Sequence, residues 1–244
     1  MAAGSCPHDG FQWDGLPEGY IDTLAQTNTY VTGHNPDKAI LLIHDLLSWT
    51  FPNLCLLADY YAREANATVF VPEFIREKGL PFQNQIGGSG QAVDPKMIHP
   101  CKIYEARILE FAKLLRARFR KLGAVGFCFG GWAVFRLGSK TNRPPLVDCI
   151  TAGHPSSLTK KDIDEIGVPV QILSPEFDLS YTDELKTYSL ETVPKLGVPF
   201  EYQHFAGVEH ACFIRADPEI PGEWEAGERG KAAAVSWLRR FLDE

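Results

Sequence analysis

Short apolar runs alternate with amphipathic stretches along most of the chain. Lys38-Ala39-Ile40-Leu41-Leu42-Ile43-His44 is almost wholly apolar, as expected of a parallel strand covered on both faces. Thr68-Val69-Phe70-Val71-Pro72 repeats the pattern and is stopped by its proline. Between them, Leu54 to Ala65 carries apolar residues at 54, 57, 58 and 61, which is helical spacing. Thr29–Thr32 is a short strand ahead of the turn Gly33-His34-Asn35-Pro36. From Ile103 to Leu122 a stripe at 108, 111, 115, 119 and 122 predicts an amphipathic helix, with Lys and Arg opposite and Gly123 closing it. Val147–Gly153, Val168–Ser174 and Phe200–Phe205 read as further strands. Thr182–Leu196 and about Glu228–Phe241 read as helices, and Ala206–Gly227 as irregular. Strands alternating with helices predict an α/β fold, a mostly parallel sheet wrapped on both faces in a single domain. Two stretches break the rhythm. Residues 1–28, rich in Gly, Pro and Asp, predict an arm packed on the domain at 29–244. Arg76 to Pro100, with four glycines and three prolines, predicts a lid-like loop.

One junction concentrates small residues. Ala124-Val125-Gly126-Phe127-Cys128-Phe129-Gly130-Gly131-Trp132 runs from an apolar strand through a cysteine into a helix opened by two glycines. This is the layout of a nucleophile elbow, G-x-S-x-G, with cysteine in the serine position. Small neighbours are required because a Cβ would clash in so tight a turn. A buried structural cysteine fits the same string, since free cysteine is among the most buried residue types.

The order of other residues bears on the choice. In α/β-hydrolases an acid and then a histidine follow the nucleophile, each in a loop at a strand's carboxyl end. His210 lies beyond the Phe200–Phe205 strand, whereas His204 sits inside it and His154 precedes the acid. Asp178 lies just past Val168–Ser174, with Glu176 as the nearer alternative. The first oxyanion donor is the N–H of the residue after the nucleophile, Phe129, and the loop after the Lys38–His44 strand supplies the second, assigned to Leu46. Asp45 stands beside the thiol.

Composition narrows the class of function. A net charge of −7 without a Lys/Arg-rich run excludes nucleic acid as an expected partner. Ala39–Ile43, the longest aliphatic run, is too short to span a bilayer, and residues 1–20 carry no basic-then-apolar leader. Six cysteines without C-x-x-C or metal-ligand spacing predict no metal, no cofactor and a reducing, cytoplasmic setting.

The chain resembles the dienelactone hydrolase family, carboxymethylenebutenolidase-like α/β-hydrolases, in its fungal-type branch. The likeness rests on Ile43-His44-Asp45-Leu46, Gly126-Phe127-Cys128-Phe129-Gly130-Gly131, Gly153-His154-Pro155-Ser156, Val168-Pro169-Val170 through Asp178, and Gly207 to His210. The resemblance implies the α/β-hydrolase fold and a Cys128, Asp178, His210 triad acting on an ester, lactone or thioester. It also implies an acid near the nucleophile that helps control thiol ionisation. Asp45 holds that position, a shorter side chain than the family's glutamate. Of the arginines that hold the family's carboxylate-bearing lactone, Arg215 and Arg76 are the candidates. Trp49, Phe74, Phe82, Trp132 and Phe213 fall near the predicted loop face and imply an apolar small-molecule substrate, aromatic or polyketide-derived. The remaining expectations are no membrane partner and a monomer or homodimer. Acyl transfer or lactone cyclisation, a non-catalytic ligand-binding homologue, and a redox role for Cys128 with Cys212 remain alternatives.

Overall fold

The computed structural model describes residues 11–45, 50–75 and 99–244, with side chains in the last segment from Tyr104 onward. Eight strands form one sheet: β1 (Tyr20–Leu24), β2 (Thr27–Thr32), β3 (Lys38–Ile43), β4 (Thr68–Pro72), β5 (Lys121–Phe127), β6 (Cys149–Gly153), β7 (Val170–Phe177) and β8 (Phe200–Glu209). Their spatial order is β1-β2-β4-β3-β5-β6-β7-β8. The β1–β2 and β2–β4 pairs are antiparallel, and every later pair is parallel.

Period-two alternation divides the apolar residues of the central strands between two cores. Ala39, Leu41 and Ile43 of β3, with Leu122 and Ala124 of β5, face one side; Ile40, Leu42, Val125 and Phe127 face the other. The first core is covered by α2 (His99–Arg118), α3 (Phe129–Leu137), α4 (Lys160–Asp164) and α5 (Asp183–Thr192). The second is covered by α1 (Pro52–Glu64), α6 (Cys212–Arg215) and α7 (Glu223–Leu242). Helix α1 starts at Pro52, whose fixed φ suits a first turn, and buries Leu54, Leu57, Ala58 and Tyr61 along one stripe. A fully buried aliphatic side chain of this kind contributes about 1.5–3 kcal/mol relative to exposure. Two long connections close the second core. The Trp13 indole Nε1–H donates to the Arg215 carbonyl (3.0 Å), and Asn53 Nδ2 donates to Phe11 O (2.7 Å) and Ile214 O (2.9 Å). Among the described residues no helix is long and apolar enough to cross a membrane.

Three features depart from the sequence expectations. Residues 20–28 belong to the sheet rather than to an arm, because β1 and β2 form a hairpin through Ala25 (φ 47°) and Gln26 (φ 60°). Helix α2 ends at Arg118, and Gly123 lies within β5. There a Cβ would meet Leu238 at 2.7 Å, so the glycine lets α7 approach the sheet. The terminal helix starts at Glu223, and the stretch before it includes α6 and the end of β8. The lid expected over 76–100 lies outside the described residues, apart from His99 and Pro100, which open α2.

Candidate active site

The carboxyl ends of β3, β5, β6, β7 and β8 converge on Cys128. Between β5 and α3 the chain turns with Cys128 at φ 54°, ψ −113°, a region that costs a non-glycine residue about 1–3 kcal/mol and persists only under surrounding constraint. The constraint is steric. A Cβ on Gly126 would lie 2.0 Å from Gly130 O, one on Gly130 2.1 Å from Ile43 O, and one on Gly131 2.6 Å from Pro155 Cα. The turn therefore needs all three glycines at once. Hydrogen bonds hold both peptide groups of the cysteine. Its N–H donates to Gly153 O (3.1 Å), and its carbonyl accepts from Ser156 N–H and Gly131 N–H (both 2.9 Å). Phe129 is the first residue of α3, so its N–H has no intrahelical acceptor and lies next to the sulfur in sequence.

Asp178 and His210 meet across the β7–β8 edge. Register pairs Phe177 with Glu209, and His210 N–H donates to Phe177 O (3.0 Å), so the residues that follow the two strands lie side by side. Asp178 Oδ2 lies 2.9 Å from His210 Nδ1, while Oδ1 accepts the N–H groups of Ser180 (2.8 Å) and Tyr181 (3.0 Å). Burial pushes the Asp178 carboxyl up. The hydrogen bond and charge of His210, together with the Tyr181 N–H, outweigh it and hold the group below its ordinary range. Burial likewise lowers His210, but the Cys128 charge and the bonds to Asp178 and Cys128 raise it well above an ordinary histidine. The imidazole thus spans the carboxylate on one side and the sulfur on the other. Glu176, the alternative acid, is exposed and engaged elsewhere, accepting Gly207 N–H at 2.7 Å.

A second imidazole lies against the first. His154 is fully buried, with its ring centroid 4.6 Å from that of His210 and stacked on Phe213 (5.5 Å, 11°). Neither ring nitrogen has a hydrogen-bond partner among the described residues. Burial, then the charge of His210, drives its pKa well below the ordinary value. Sequence order set this histidine aside as a base, and nothing in the sequence marks it as the floor under another ring. Ser156 appears there only within a motif, yet its Oγ lies 3.4 Å from Cys128 Sγ.

The other predicted site residues are distributed as follows. Asp45 is buried just beyond β3, whose Ile43 pairs with Gly126, so it lies beside the elbow. Phe74, Trp132 and Phe213 are buried in the cores. Trp132 packs on Phe129 with centroids 5.7 Å apart, and Phe74 on Phe111 at 5.8 Å. The Arg215 guanidinium is bound by the Glu223 carboxylate, with Nε to Oε2 at 2.7 Å. Leu46, Trp49, Arg76 and Phe82 lie outside the described residues. Among the described residues no cluster of His, Cys, Asp or Glu could hold a metal ion.

A mostly parallel sheet in this order, with an elbow after its fifth strand, defines an α/β-hydrolase fold. Residues 23–242 match the sequence profile of the dienelactone hydrolase family. The chain belongs to that family of hydrolases. It is 26% identical to the hydrolase tropI of Talaromyces stipitatus, across 98% of this chain and 97% of the relative. It is 21% identical to the mouse carboxymethylenebutenolidase homolog, across 98% of each. The crystal structure of a putative dienelactone hydrolase from Klebsiella pneumoniae is similar in fold, with a TM-score of 0.67 at 14% identity, covering 87% of this chain and 92% of that one.

Proposed function

We propose that the chain cleaves a small-molecule ester, lactone or thioester through an acyl-enzyme on Cys128. The observation that carries this reading is the His210 imidazole, bound at Nδ1 by the buried Asp178 carboxylate and partnered on its other side by the Cys128 sulfur. His210 takes the thiol proton, and the thiolate, which is the reactive form, attacks the carbonyl carbon. The electron pair of the C=O bond moves to oxygen, and the Phe129 N–H stabilises the oxyanion together with a second donor proposed at Leu46. Loss of one such donor typically costs about 10²–10³ in rate. As the tetrahedral intermediate collapses, His210 returns the proton to the leaving oxygen or sulfur. Water, deprotonated by the same imidazole, then attacks the thioester, and the cysteine leaves as thiolate. Asp178 holds Nδ1–H and so keeps Nε2 directed at the sulfur throughout.

Two observations support an apolar acyl group. Phe129 and Trp132 pack beside the elbow, and Arg215 is neutralised by Glu223 rather than free to hold a substrate carboxylate. Asp45 is the acid proposed to act on thiol ionisation from the β3 side. The test is hydrolysis of p-nitrophenyl acetate by wild type and Cys128→Ala, with mass spectrometry of the trapped acyl-enzyme. The variant is expected to lose hydrolysis and the adduct to map to Cys128. Equal rates, or an adduct on another residue, would overturn the assignment.

A further inference from the structure

We infer that Ser156 is a catalytic residue of this site, a hydroxyl that stays bonded to the Cys128 sulfur in both of its protonation states. The inference rests on the nucleophilic reading of Cys128 and deepens it. Three contacts independent of the hydroxyl fix the loop after β6 against the elbow. Cys128 N–H donates to Gly153 O, Ser156 N–H donates to Cys128 O, and His154 N–H donates to Leu173 O at 2.9 Å. Pro155 fills the space that a Cβ on Gly131 would need. With Ser156 anchored by its own backbone, its Oγ lies 3.4 Å from Sγ, a hydrogen-bond distance for sulfur. No other hydrogen bond to this oxygen is found among the described residues.

The chemistry of a hydroxyl suits that place. Serine carries one donor and two acceptor lone pairs on a rotor, so it can accept S–H from the thiol and donate O–H to the thiolate. It makes this exchange without changing its own charge. A carboxylate such as Asp45 is different, because its negative charge opposes that of a thiolate beside it. When His210 takes the thiol proton, the Ser156 O–H turns to the sulfur and stabilises the charge that forms. In deacylation the same O–H meets the departing thiolate as the C–S bond breaks. No proton leaves Ser156 in either step.

The experiment is alkylation of Cys128 by iodoacetamide across pH, read by mass spectrometry on the intact chain for wild type, Ser156→Ala and Ser156→Thr. Loss of one hydrogen bond to a charged sulfur is expected to move the alkylation midpoint of Ser156→Ala upward by about one pH unit, a ten-fold lower rate below the midpoint. The alanine and wild-type rates should converge at high pH, where both thiols are ionised. Ser156→Thr, which keeps the hydroxyl, should restore the midpoint. An unmoved or lowered midpoint in Ser156→Ala, or no restoration by threonine, would overturn the inference. These results report on the sulfur itself. They stay separate from failure of the nucleophilic reading, which would appear as undiminished ester hydrolysis by Cys128→Ala.

Discussion

Gly130→Ala is the sharpest probe of how the elbow is held. A Cβ there would lie 2.1 Å from Ile43 O, 2.8 Å from Ile43 C and 3.0 Å from His44 O, all backbone atoms at the end of β3. That strand end yields little, because β3 is paired with β5 as far as Ile43 and with β4 as far as Leu41. A carbon–oxygen contact needs roughly 3.3–3.6 Å, so the start of α3 must lift by about 1 Å. Overpacking of this kind costs about 1–3 kcal/mol, and the gain from replacing a helical glycine returns about 0.5–1. The net loss of up to about 2.5 kcal/mol corresponds to a Tm lower by up to roughly 10 °C in a chain of this size. The same lift moves the Phe129 N–H and the sulfur, and a misplacement of about 1 Å can cost about 10² in rate. Thermal unfolding and kcat/KM on p-nitrophenyl acetate measure the two effects separately. Gly197→Ala is the control. Its φ is +75° with nothing within 4 Å of an added Cβ, so it should lose about 1–2 kcal/mol without losing activity. A Gly130→Ala enzyme with wild-type Tm and kcat/KM would refute the steric account of the elbow.

Two further perturbations test the surroundings. Glu223→Gln leaves the Arg215 guanidinium, largely buried, without its charge partner, and should cost about 3 kcal/mol in urea unfolding; an unchanged midpoint would show that the pair is not structural. The two central histidines should impose opposite limbs on the pH dependence of stability. Unfolded histidine titrates near about 6.5, so the depressed His154 makes the fold lose stability as pH falls below that value, toward its own low folded pKa. The raised His210 contributes stability that is complete below about 6.5 and lost as pH rises through its folded pKa. Denaturation of His154→Phe across pH should therefore show a flatter acid limb than wild type and the same alkaline limb. Parallel acid limbs would count against an imidazole held neutral in the fold.

Much of the fold was legible in the chain because the central strands are covered on both faces and their apolar runs are uninterrupted. Cys128 was legible because a turn this tight excludes side chains at Gly126, Gly130 and Gly131, which leaves a mark in one dimension. Chain order singled out Asp178 and His210 as candidates, and strand register brings the two side chains together. β1 was not legible. Four of its five residues are exposed, so no alternation marks it. Its turn places both central residues at positive φ, a geometry usually announced by Asn-Gly, whereas here the pair is Ala25-Gln26. Gly123 misled because a glycine after an amphipathic stripe looks like a helix stop; its actual constraint, the approach of Leu238, comes from residues 115 positions later. Ser156 and His154 carry no periodic signal at all, since what distinguishes them is proximity to a sulfur and to a ring on other elements.

The Trp13–Arg215 and Asn53–Ile214 bonds have a consequence for how the protein is made. Arg215 and Ile214 belong to the segment immediately after His210, and their carbonyls are the acceptors for groups from near the start of the chain. During synthesis Trp13 leaves the ribosome some 200 residues before its partner exists. The parallel strands can pair progressively, but the turn bearing His210 is fastened only when the segments around Trp13 and Asn53 can reach it. The histidine turn should thus be fastened only once the chain from Trp13 through Arg215 has been made. A partner fused or cut near Trp13 would loosen the histidine turn while leaving the central strands paired.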